Sequence, residues 1–208
     1  MLTPNQALEK IQLHLSESAA VKQRMAETLG PEILRAASLL VDSLGAGHKL
    51  LLCGNGGSAA DCQHMAAELV SKMSRDLDRP GLPVLALTTD CSFLTAYAND
   101  YGYDGVFSRQ ITAFGRPGDT LLGISTSGNS RNVIEGIHAA RAIGMKVITL
   151  TGAGGAMPPL ADVALCVPST DTQYIQEAHL AVEHLLCFIV EHSLFPATTP
   201  RAGSPSFA

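Results

Sequence analysis

The chain contains no tryptophan, few charged residues and no stretch rich in Lys or Arg. Of its 208 residues, 16% are charged, and the formal net charge at pH 7 is −5. Proteins that bind nucleic acid irrespective of sequence need cationic side chains to neutralise phosphates, so this function is not expected. The hydrophobic fraction of 46% is instead typical of a globular α/β protein.

Paired cysteines, a leader segment and a long apolar run are also missing. The five cysteines include no CxxC pair, so we expect free thiols in a reducing cytoplasm. The first ten residues, MLTPNQALEK, lack the basic and apolar regions of a signal peptide. No run approaches the roughly 20 apolar residues that cross a bilayer. These absences favour a cytoplasmic protein without a membrane partner.

Short apolar runs alternate with helical patterns along most of the chain. The apolar runs lie at 49–53, 83–87, 119–125, 146–150 and 162–168. Helical patterns lie at 5–25, 31–44, 58–74, 93–98, 106–114, 131–143 and 172–193. Unbroken apolar strands alternating with helices predict an α/β fold with a central five-stranded parallel sheet, Rossmann-like or flavodoxin-like, covered on both faces.

The chain divides into three parts. Residues 1–30 are predicted to form an N-terminal helix for oligomer packing, and residues 31–195 a single α/β domain, in keeping with the chain length. Residues 196–208, PATTPRAGSPSFA, are rich in Pro, Ser and Thr and have little to bury. We therefore predict a disordered tail.

Two turn segments are candidates for binding an anion. GNGGS (54–58) follows the first apolar run, and STSGNS (125–130) follows the third. Ligands of parallel sheets gather where strands end and helices begin, and the free N–H groups of a helix start attract anions. The second segment adds several hydroxyls but no lysine, which excludes a triphosphate P-loop and favours a phosphate monoester. Ordinary helix capping is the alternative.

The first turn segment also matches the G-x-G-x-x-A fingerprint of dinucleotide-binding proteins. That interpretation requires an acidic residue about 20 positions later, at the end of the next strand. The acidic residues near 76–78 precede the next apolar run, and Asp90 follows it too late. The pattern therefore gives little support to a nicotinamide or flavin cofactor.

A histidine and a carboxylate follow the first turn segment on its helix. His64 and Glu68 lie one helical turn apart and share a face. One cation can contact both side chains, or the imidazole can orient the carboxylate for proton transfer. An ordinary surface pair is the alternative.

The last helix carries a second polar set in YIQEAHLAVEHLL (174–186). Gln176 and His184 share a face, but their backbones are about 12 Å apart. A zinc ion lies only about 2 Å from its ligand atoms. If both side chains bind one ion, we therefore expect the site at a subunit boundary. A solvated helix face is the alternative.

One further polar pair, Asn99-Asp100, lies in AYANDYGYDG (96–105). Asn and Asp are common where a helix ends in a turn, which is one interpretation. A polar clamp for a sugar hydroxyl is the other.

Four segments together are more specific than any one motif: CGNGGSAADCQHMAAE, ANDYGYDGVFSRQ, GDTLLGISTSGNSRNVIEGIHAAR and IQEAHLAVEHLLC. In this order they closely resemble the phosphoheptose isomerases (sedoheptulose 7-phosphate isomerases), which are single-domain members of the sugar-isomerase, or SIS, superfamily. The resemblance spans roughly 33–195. It implies that residues 31–195 form a sugar-phosphate-binding SIS domain.

The resemblance also implies roles for matching positions. It implies one zinc ion per subunit, held by His64, Glu68, Gln176 and His184, and catalytic roles for Glu68 and His184. The implied substrate contacts are Asn55, Gly56, Gly57, Glu68, Asn99, Asp100, Ser125, Thr126, Ser127, Ser130 and Gln176. The implied assembly is a homotetramer with active sites between subunits.

The implied reaction converts sedoheptulose 7-phosphate to D-glycero-D-manno-heptose 7-phosphate, a precursor for lipopolysaccharide. A proton must leave C1 and return at C2 through an enediol, with Glu68 as the candidate base and His184 as the candidate acid. Zinc would stabilise the negative charge on oxygen. A carboxylate bound to zinc is a poorer base, so zinc is either partly structural or leaves Glu68 during turnover.

A non-catalytic function is the alternative, because some SIS proteins bind a replication initiator protein. Such a protein can lack the carboxylate on the helix of the first motif. Glu68, Gln176 and His184 are all present here, which favours the isomerase.

Overall fold

Five parallel strands form one sheet in the order β2-β1-β3-β4-β5. The computed structural model describes residues 1–196. The strands are β1 (Leu50–Gly54), β2 (Val84–Ala86), β3 (Thr120–Ser125), β4 (Lys146–Thr151) and β5 (Val163–Cys166). Each of the five predicted apolar runs forms one of these strands, which confirms the predicted sheet.

Helices cover both faces of the sheet. They are α1 (Pro4–Thr28), α2 (Gly30–Gly45), α3 (Gly57–Val70), α4 (Cys91–Tyr101), α5 (Val106–Phe114), α6 (Arg131–Ile143) and α7 (Thr172–Leu194). Short 3₁₀ turns at Tyr103–Gly105 and Pro158–Leu160 were not predicted from the sequence. The bounds of α5 and α6 are those predicted, and α4 extends beyond its predicted range of 93–98.

Alternating side chains of the strands fill two separate cores. Leu50 and Leu52 of β1 pack into the core beneath α2, α3 and α7, whereas Leu51 and Cys53 pack into the core beneath α5 and α6. Successive side chains of a strand point to opposite faces, and all of β1 and β3 is buried. This burial on both faces explains why the strands are unbroken apolar runs rather than alternating patterns.

The strand order creates a reversal point between β1 and β3. The chain moves from β1 outward to β2 and then returns to place β3 on the other side of β1. In open parallel sheets, ligands bind outside the carboxyl ends of the strands at such a point. Gly54 pairs with Ile124, so the segments GNGGS and STSGNS begin side by side at this edge.

Helix α1 forms as predicted, but its regularly spaced apolar residues do not reach the core. Leu8, Ile11 and Leu15 are 55–63% exposed, whereas Val21 and Met25 nearer its end are buried. The assignment of residues 1–30 to oligomer packing therefore remains a prediction, as does the boundary at residue 31.

Apart from Pro196, the predicted tail lies outside the described residues. Within residues 1–196, no helix has the length and apolar character needed to cross a bilayer.

Candidate active site

Helices α3 and α7 bring two histidines together. The Nε2 atoms of His64 and His184 are 2.8 Å apart, so one ring donates its N–H to the other. The rings meet edge to face with centroids 5.1 Å apart. Glu68, one turn after His64, places a carboxylate oxygen 3.8 Å from the His64 Nε2 atom. Three predicted residues from two helices therefore lie together in one chain.

Gln176 lies against the start of α3, over the first turn segment. A β-carbon added at Gly57 would stand 2.0 Å from its Nε2 atom and 2.4 Å from its Oε1 atom. Any side chain at position 57 would thus displace the Gln176 amide. Gly57 and Gln176, both predicted substrate contacts, are adjacent, and the absence of a side chain at position 57 makes the space that the amide fills.

The hydroxyls of the second turn segment form a connected group. The Oγ atom of Ser125 lies 2.8 Å from that of Ser130 and 3.4 Å from that of Ser127. Ser130 is the N-cap residue of α6, yet its side chain makes no capping hydrogen bond. Capping therefore does not account for the Ser130 hydroxyl, and the first N–H groups of α6 lie beside this hydroxyl group.

A small cavity adjoins these hydroxyls. It has a volume of about 250 Å³. Its lining residues are Thr126, Ser127, Ala153, Gly154, Gly155, Ser169, Thr170 and Ile175. Gly128 has a φ of +65°, and a β-carbon there would stand 2.3 Å from the carbonyl oxygen of Gly154. The close approach of these two loops shapes the wall of the cavity and requires glycine at position 128.

Asn55 and Asn132 join the two turn segments. Each side-chain amide donates to the carbonyl oxygen of the other, at 2.8 and 2.9 Å. The Tyr103 hydroxyl also donates to the Asn55 Oδ1 atom, at 3.0 Å. The Asn55 side chain is therefore held by protein partners. Sequence reasoning missed Asn132 and Tyr103, although Asn132 is a polar residue in the first turn of a helix that opens at a predicted site.

The pair Asn99-Asp100 lies in the last turn of α4 rather than after a helix. Both side chains are exposed, and the Asn99 amide donates to the Asp100 carboxylate at 2.9 Å. The 3₁₀ turn that follows α4 contacts the first turn segment through Tyr103. The pair thus precedes a segment that reaches the site, and its own role as a clamp remains a prediction.

Three buried ionisable groups behind the site were not predicted. Burial raises the pKa of the Glu183 carboxyl to about 8, and the neighbouring Asp61 adds to the rise. Burial lowers the pKa of His179 to about 4. Burial also raises the pKa of Asp61, although a hydrogen bond from Gln176 opposes it. Glu183 and His179 are fully buried, whereas Gln176 is partly buried and His184 is exposed, so a solvated face remains the alternative for His184.

The spacing of apolar residues on α7 could have revealed these groups. His179 and Glu183 share the buried face of α7 with Ile175, Val182 and Leu186, and these positions recur with the period of a helix. Polar residues at such positions belong to the core side of the helix. Both oxygens of Glu183 and both ring nitrogens of His179 lack a hydrogen-bond partner among the described residues.

The donor types beside α3 and α7 suit a zinc ion. Imidazole nitrogen and carboxylate oxygen are common zinc ligands, and His64, His184 and Glu68 supply both kinds. Within residues 1–196, however, no three His, Cys, Asp or Glu side chains are already gathered as a metal-binding cluster. The Nε2 atoms of the two histidines are hydrogen-bonded to each other, so they would have to separate, and Glu68 would have to turn toward them, for the three side chains to bind one ion.

Comparison with known proteins identifies relatives over most of the chain. The SIS domain family matches residues 14–152. A phosphoheptose isomerase of Roseiflexus sp. (strain RS-1) is 54% identical over 182 residues, covering 87% of this chain and 91% of the relative. A phosphoheptose isomerase of Thiobacillus denitrificans is 51% identical over 190 residues, which cover 89% of this chain and 95% of the relative. These relatives favour the isomerase over the initiator-binding alternative.

Solved structures agree with this result. The phosphoheptose isomerase of Neisseria gonorrhoeae is 45% identical, with a TM-score of 0.83, and the match covers 88% of this chain and 98% of that one. The phosphoheptose isomerase of Francisella tularensis is 39% identical, with a TM-score of 0.86. The match covers 89% of this chain and 98% of that one. The predicted fold class is confirmed.

The raised pKa of Glu183 predicts a specific dependence of stability on pH. Its folded pKa of about 8 lies above its usual value of 4.5, so the stabilisation is full below pH 4.5 and is lost as the pH rises through 8. Between pH 6 and 9 the free energy of unfolding should fall by about 2–3 kcal/mol through this group. Denaturant unfolding of Glu183→Gln at both pH values should show this fall removed.

The exposed Glu135 on α6 provides the control. Glu135→Gln should leave the pH dependence as in the unmodified protein. An identical fall in the unmodified protein and in Glu183→Gln would contradict the assignment.

Proposed function

The chain belongs to the SIS domain family and, within it, to the phosphoheptose isomerases, which are sugar-phosphate isomerases; from this premise we propose that it interconverts sedoheptulose 7-phosphate and D-glycero-D-manno-heptose 7-phosphate. The observation that carries the proposal is the reversal point between β1 and β3. A hydroxyl-rich helix start and a glycine-rich helix start lie side by side there. Two histidines and a carboxylate follow on α3 and α7.

The second turn segment is the proposed site for the phosphate of the substrate. Hydroxyls of Ser125, Thr126, Ser127 and Ser130 and the first N–H groups of α6 would donate to its oxygens. The side-chain set contains no cationic group, and a phosphate monoester needs none when backbone donors and the helix dipole are available. The adjoining cavity of about 250 Å³ leaves space beside Thr126 and Ser127.

Proton transfer is assigned to residues of α3 and α7. The Glu68 carboxylate removes the C1 proton of the ketose, and the proton returns at C2 to complete the aldose. His184 moves protons between the oxygens of the enediol or assists ring opening. Gln176, Gly56, Gly57, Asn55, Asn99 and Asp100 are the proposed contacts to the sugar. The half-buried position of Glu68 shields it partly while leaving it accessible to substrate.

A zinc ion is proposed as the cofactor, one per subunit. His64 and His184 would hold it, with Glu68 and Gln176 as further ligands. When bound, zinc would supply Lewis-acid stabilisation of negative charge on the substrate oxygen. Support comes from the 2.8 Å approach of the two Nε2 atoms and from the donor types, which zinc prefers.

A homotetramer in the cytoplasm is the proposed form of the protein. Support comes from apolar side chains that the single chain leaves exposed. They include Leu8, Ile11 and Leu15 on α1 and Leu180, Leu185 and Phe188 on α7. Because α7 carries Gln176 and His184, subunits packed on this helix would lie next to the site. The product would supply heptose for lipopolysaccharide.

Turnover of sedoheptulose 7-phosphate by the purified, metal-supplied protein tests the function. Separation of the ketose and aldose phosphates should show interconversion, and Glu68→Gln should abolish it while substrate affinity stays within about tenfold, because the amide cannot accept the proton. Glu135→Gln is the matched control and should turn over normally. Retained turnover in Glu68→Gln would reject Glu68 as the base.

Ser127→Ala tests the phosphate site. Loss of one hydrogen bond to an anion should weaken substrate binding by about 1–2 kcal/mol, measured by calorimetry. Ser38→Ala, on α2 near the amino ends of the strands, should have no effect. If Ser127→Ala binds substrate as tightly as the unmodified protein, the phosphate lies elsewhere.

The zinc site predicts a metal content that depends on two residues. Elemental analysis after purification should find zinc in the unmodified protein and little in the double variant His64→Ala/His184→Ala, because both imidazole ligands are removed. His138→Ala, on the exposed face of α6, should keep the metal. Equal zinc in all three proteins would refute the site.

A further inference from the structure

A buried ion pair holds the segment between α3 and β2. The Arg79 guanidinium lies 2.9 Å (Nη2) and 3.0 Å (Nε) from the Glu191 Oε1 atom. Both side chains have no exposed surface. Both nitrogens approach the same carboxylate oxygen, and the opposite charges make this contact stronger than a neutral hydrogen bond. It joins a loop after α3 to the end of α7.

The same two side chains also bind the backbone around the end of α3. Arg79 Nη1 donates to the Leu69 carbonyl at 2.7 Å, and Nη2 donates to the Glu68 carbonyl at 2.9 Å. The Glu191 carboxylate accepts from the N–H groups of Met73 and Ser74, at 3.0 and 3.1 Å. The last carbonyls of a helix have no partner within it, so Arg79 supplies donors that α3 lacks.

Glu191 is charged in its buried position. Burial by itself raises the pKa of the Glu191 carboxyl. The hydrogen bonds from Ser74 and Met73 and the charge of Arg79 outweigh that effect and hold the pKa below its usual value. The two groups therefore form an ion pair rather than a neutral contact.

The ion pair connects the two helices that carry the proposed catalytic groups. Glu191 lies about two helical turns after His184 on α7. Arg79, which pairs with Glu191, donates a hydrogen bond to the Glu68 carbonyl on α3. Helices α3 and α7 are thus connected at two places along their length. One connection is the hydrogen bond between His64 and His184, and the other runs from Glu68 through Arg79 to Glu191. Two contacts at different positions along the helices restrict both the translation and the rotation of α3 relative to α7.

Stability alone is a weak reason for such a pair. Taking two charges out of water is costly, and well-packed apolar residues of similar size often replace a buried pair without loss. Fixing a single relative position of packed elements is the role best established for buried polar groups.

We propose that Arg79 and Glu191 are positioning residues for the isomerisation, which set the position of Glu68 relative to His184. The inference rests on the proposed function in so far as Glu68 is the base. Neither residue touches the substrate. They act by holding the backbone carbonyl of Glu68 and by fixing the position of α3 relative to α7.

The double variant Arg79→Met/Glu191→Met separates positioning from stability. It removes both charges together while keeping similar side-chain volume, so neither charge is left buried without its partner. Backbone groups of residues 68, 69, 73 and 74 lose their hydrogen-bond partners, so its Tm should fall. Its kcat should fall by roughly 10–100-fold, because a misplacement of about 1 Å has an effect of that size, while KM stays within about threefold. An unchanged kcat in this folded variant would overturn the proposal.

A second variant covers the case in which the double variant does not fold. Arg79→Lys keeps the buried positive charge but cannot reach the Glu191 carboxylate and the two α3 carbonyls together. It should fold and should lower kcat at least about fivefold with KM little changed. Full kcat in Arg79→Lys would also overturn the proposal.

A matched ion pair at the other end of the sheet provides the control. Lys49 and Asp119 join the amino ends of β1 and β3, and Asp119 is almost fully buried. The double variant Lys49→Met/Asp119→Met should change Tm while leaving kcat as in the unmodified protein. Equal losses of kcat from both double variants would assign the effect to general destabilisation and reject positioning.

A crystal structure of Arg79→Met/Glu191→Met distinguishes failure of this inference from failure of the proposed function. If the unmodified protein does not turn over sedoheptulose 7-phosphate, the proposed function fails, yet the structure of the variant still reports the positioning role. The distance between the Nε2 atoms of His64 on α3 and His184 on α7, 2.8 Å in the unmodified protein, should change by about 1 Å or more. Unchanged positions of His64, Glu68 and His184 would overturn the inference.

Discussion

The parallel pairing of β1 with β3 determines where the other parts of the site lie. It brings the carboxyl ends of two strands that are distant in sequence to the same edge, with Gly54 paired to Ile124. Each strand leads into a helix, so two helix starts with free N–H groups lie next to each other. Two reciprocal hydrogen bonds between the side-chain amides of Asn55 and Asn132 then hold these helix starts together. The strand order thus places two helix starts, with donors of the kind that can bind an anion, at one edge of the sheet.

The contact between α3 and α7 adds the chemistry to that surface. Helix α3 begins at the glycine-rich segment and carries His64 near its middle and Glu68 near its end, one turn apart on one face. Helix α7 lies against it and contributes Gln176 at the start and His184 further on. In the proposed function, the hydroxyls before α6 would bind the phosphate, and the side chains of α3 and α7 would transfer protons at the carbonyl end of the substrate.

The sequence predicts the strands and most helices because unbroken apolar runs and helical periods are local signals. It also points to both turn segments, since glycines and hydroxyls directly after a buried strand lie where parallel sheets bind ligands. The Asn55–Asn132 pair and the Arg79–Glu191 pair could not be predicted, because each joins residues far apart in sequence. The burial of Glu183 was recoverable from its place on the apolar face of α7.

A crystal structure of Glu68→Gln with sedoheptulose 7-phosphate would show whether both ends of the substrate bind as proposed. We expect the phosphate within hydrogen-bonding distance of the Ser125, Ser127 and Ser130 hydroxyls. We expect C1 and C2 of the sugar within about 3–3.5 Å of the residue 68 side chain, the separation that reacting groups require. A phosphate bound away from the hydroxyls, or a carbonyl end far from α3 and α7, would contradict the account.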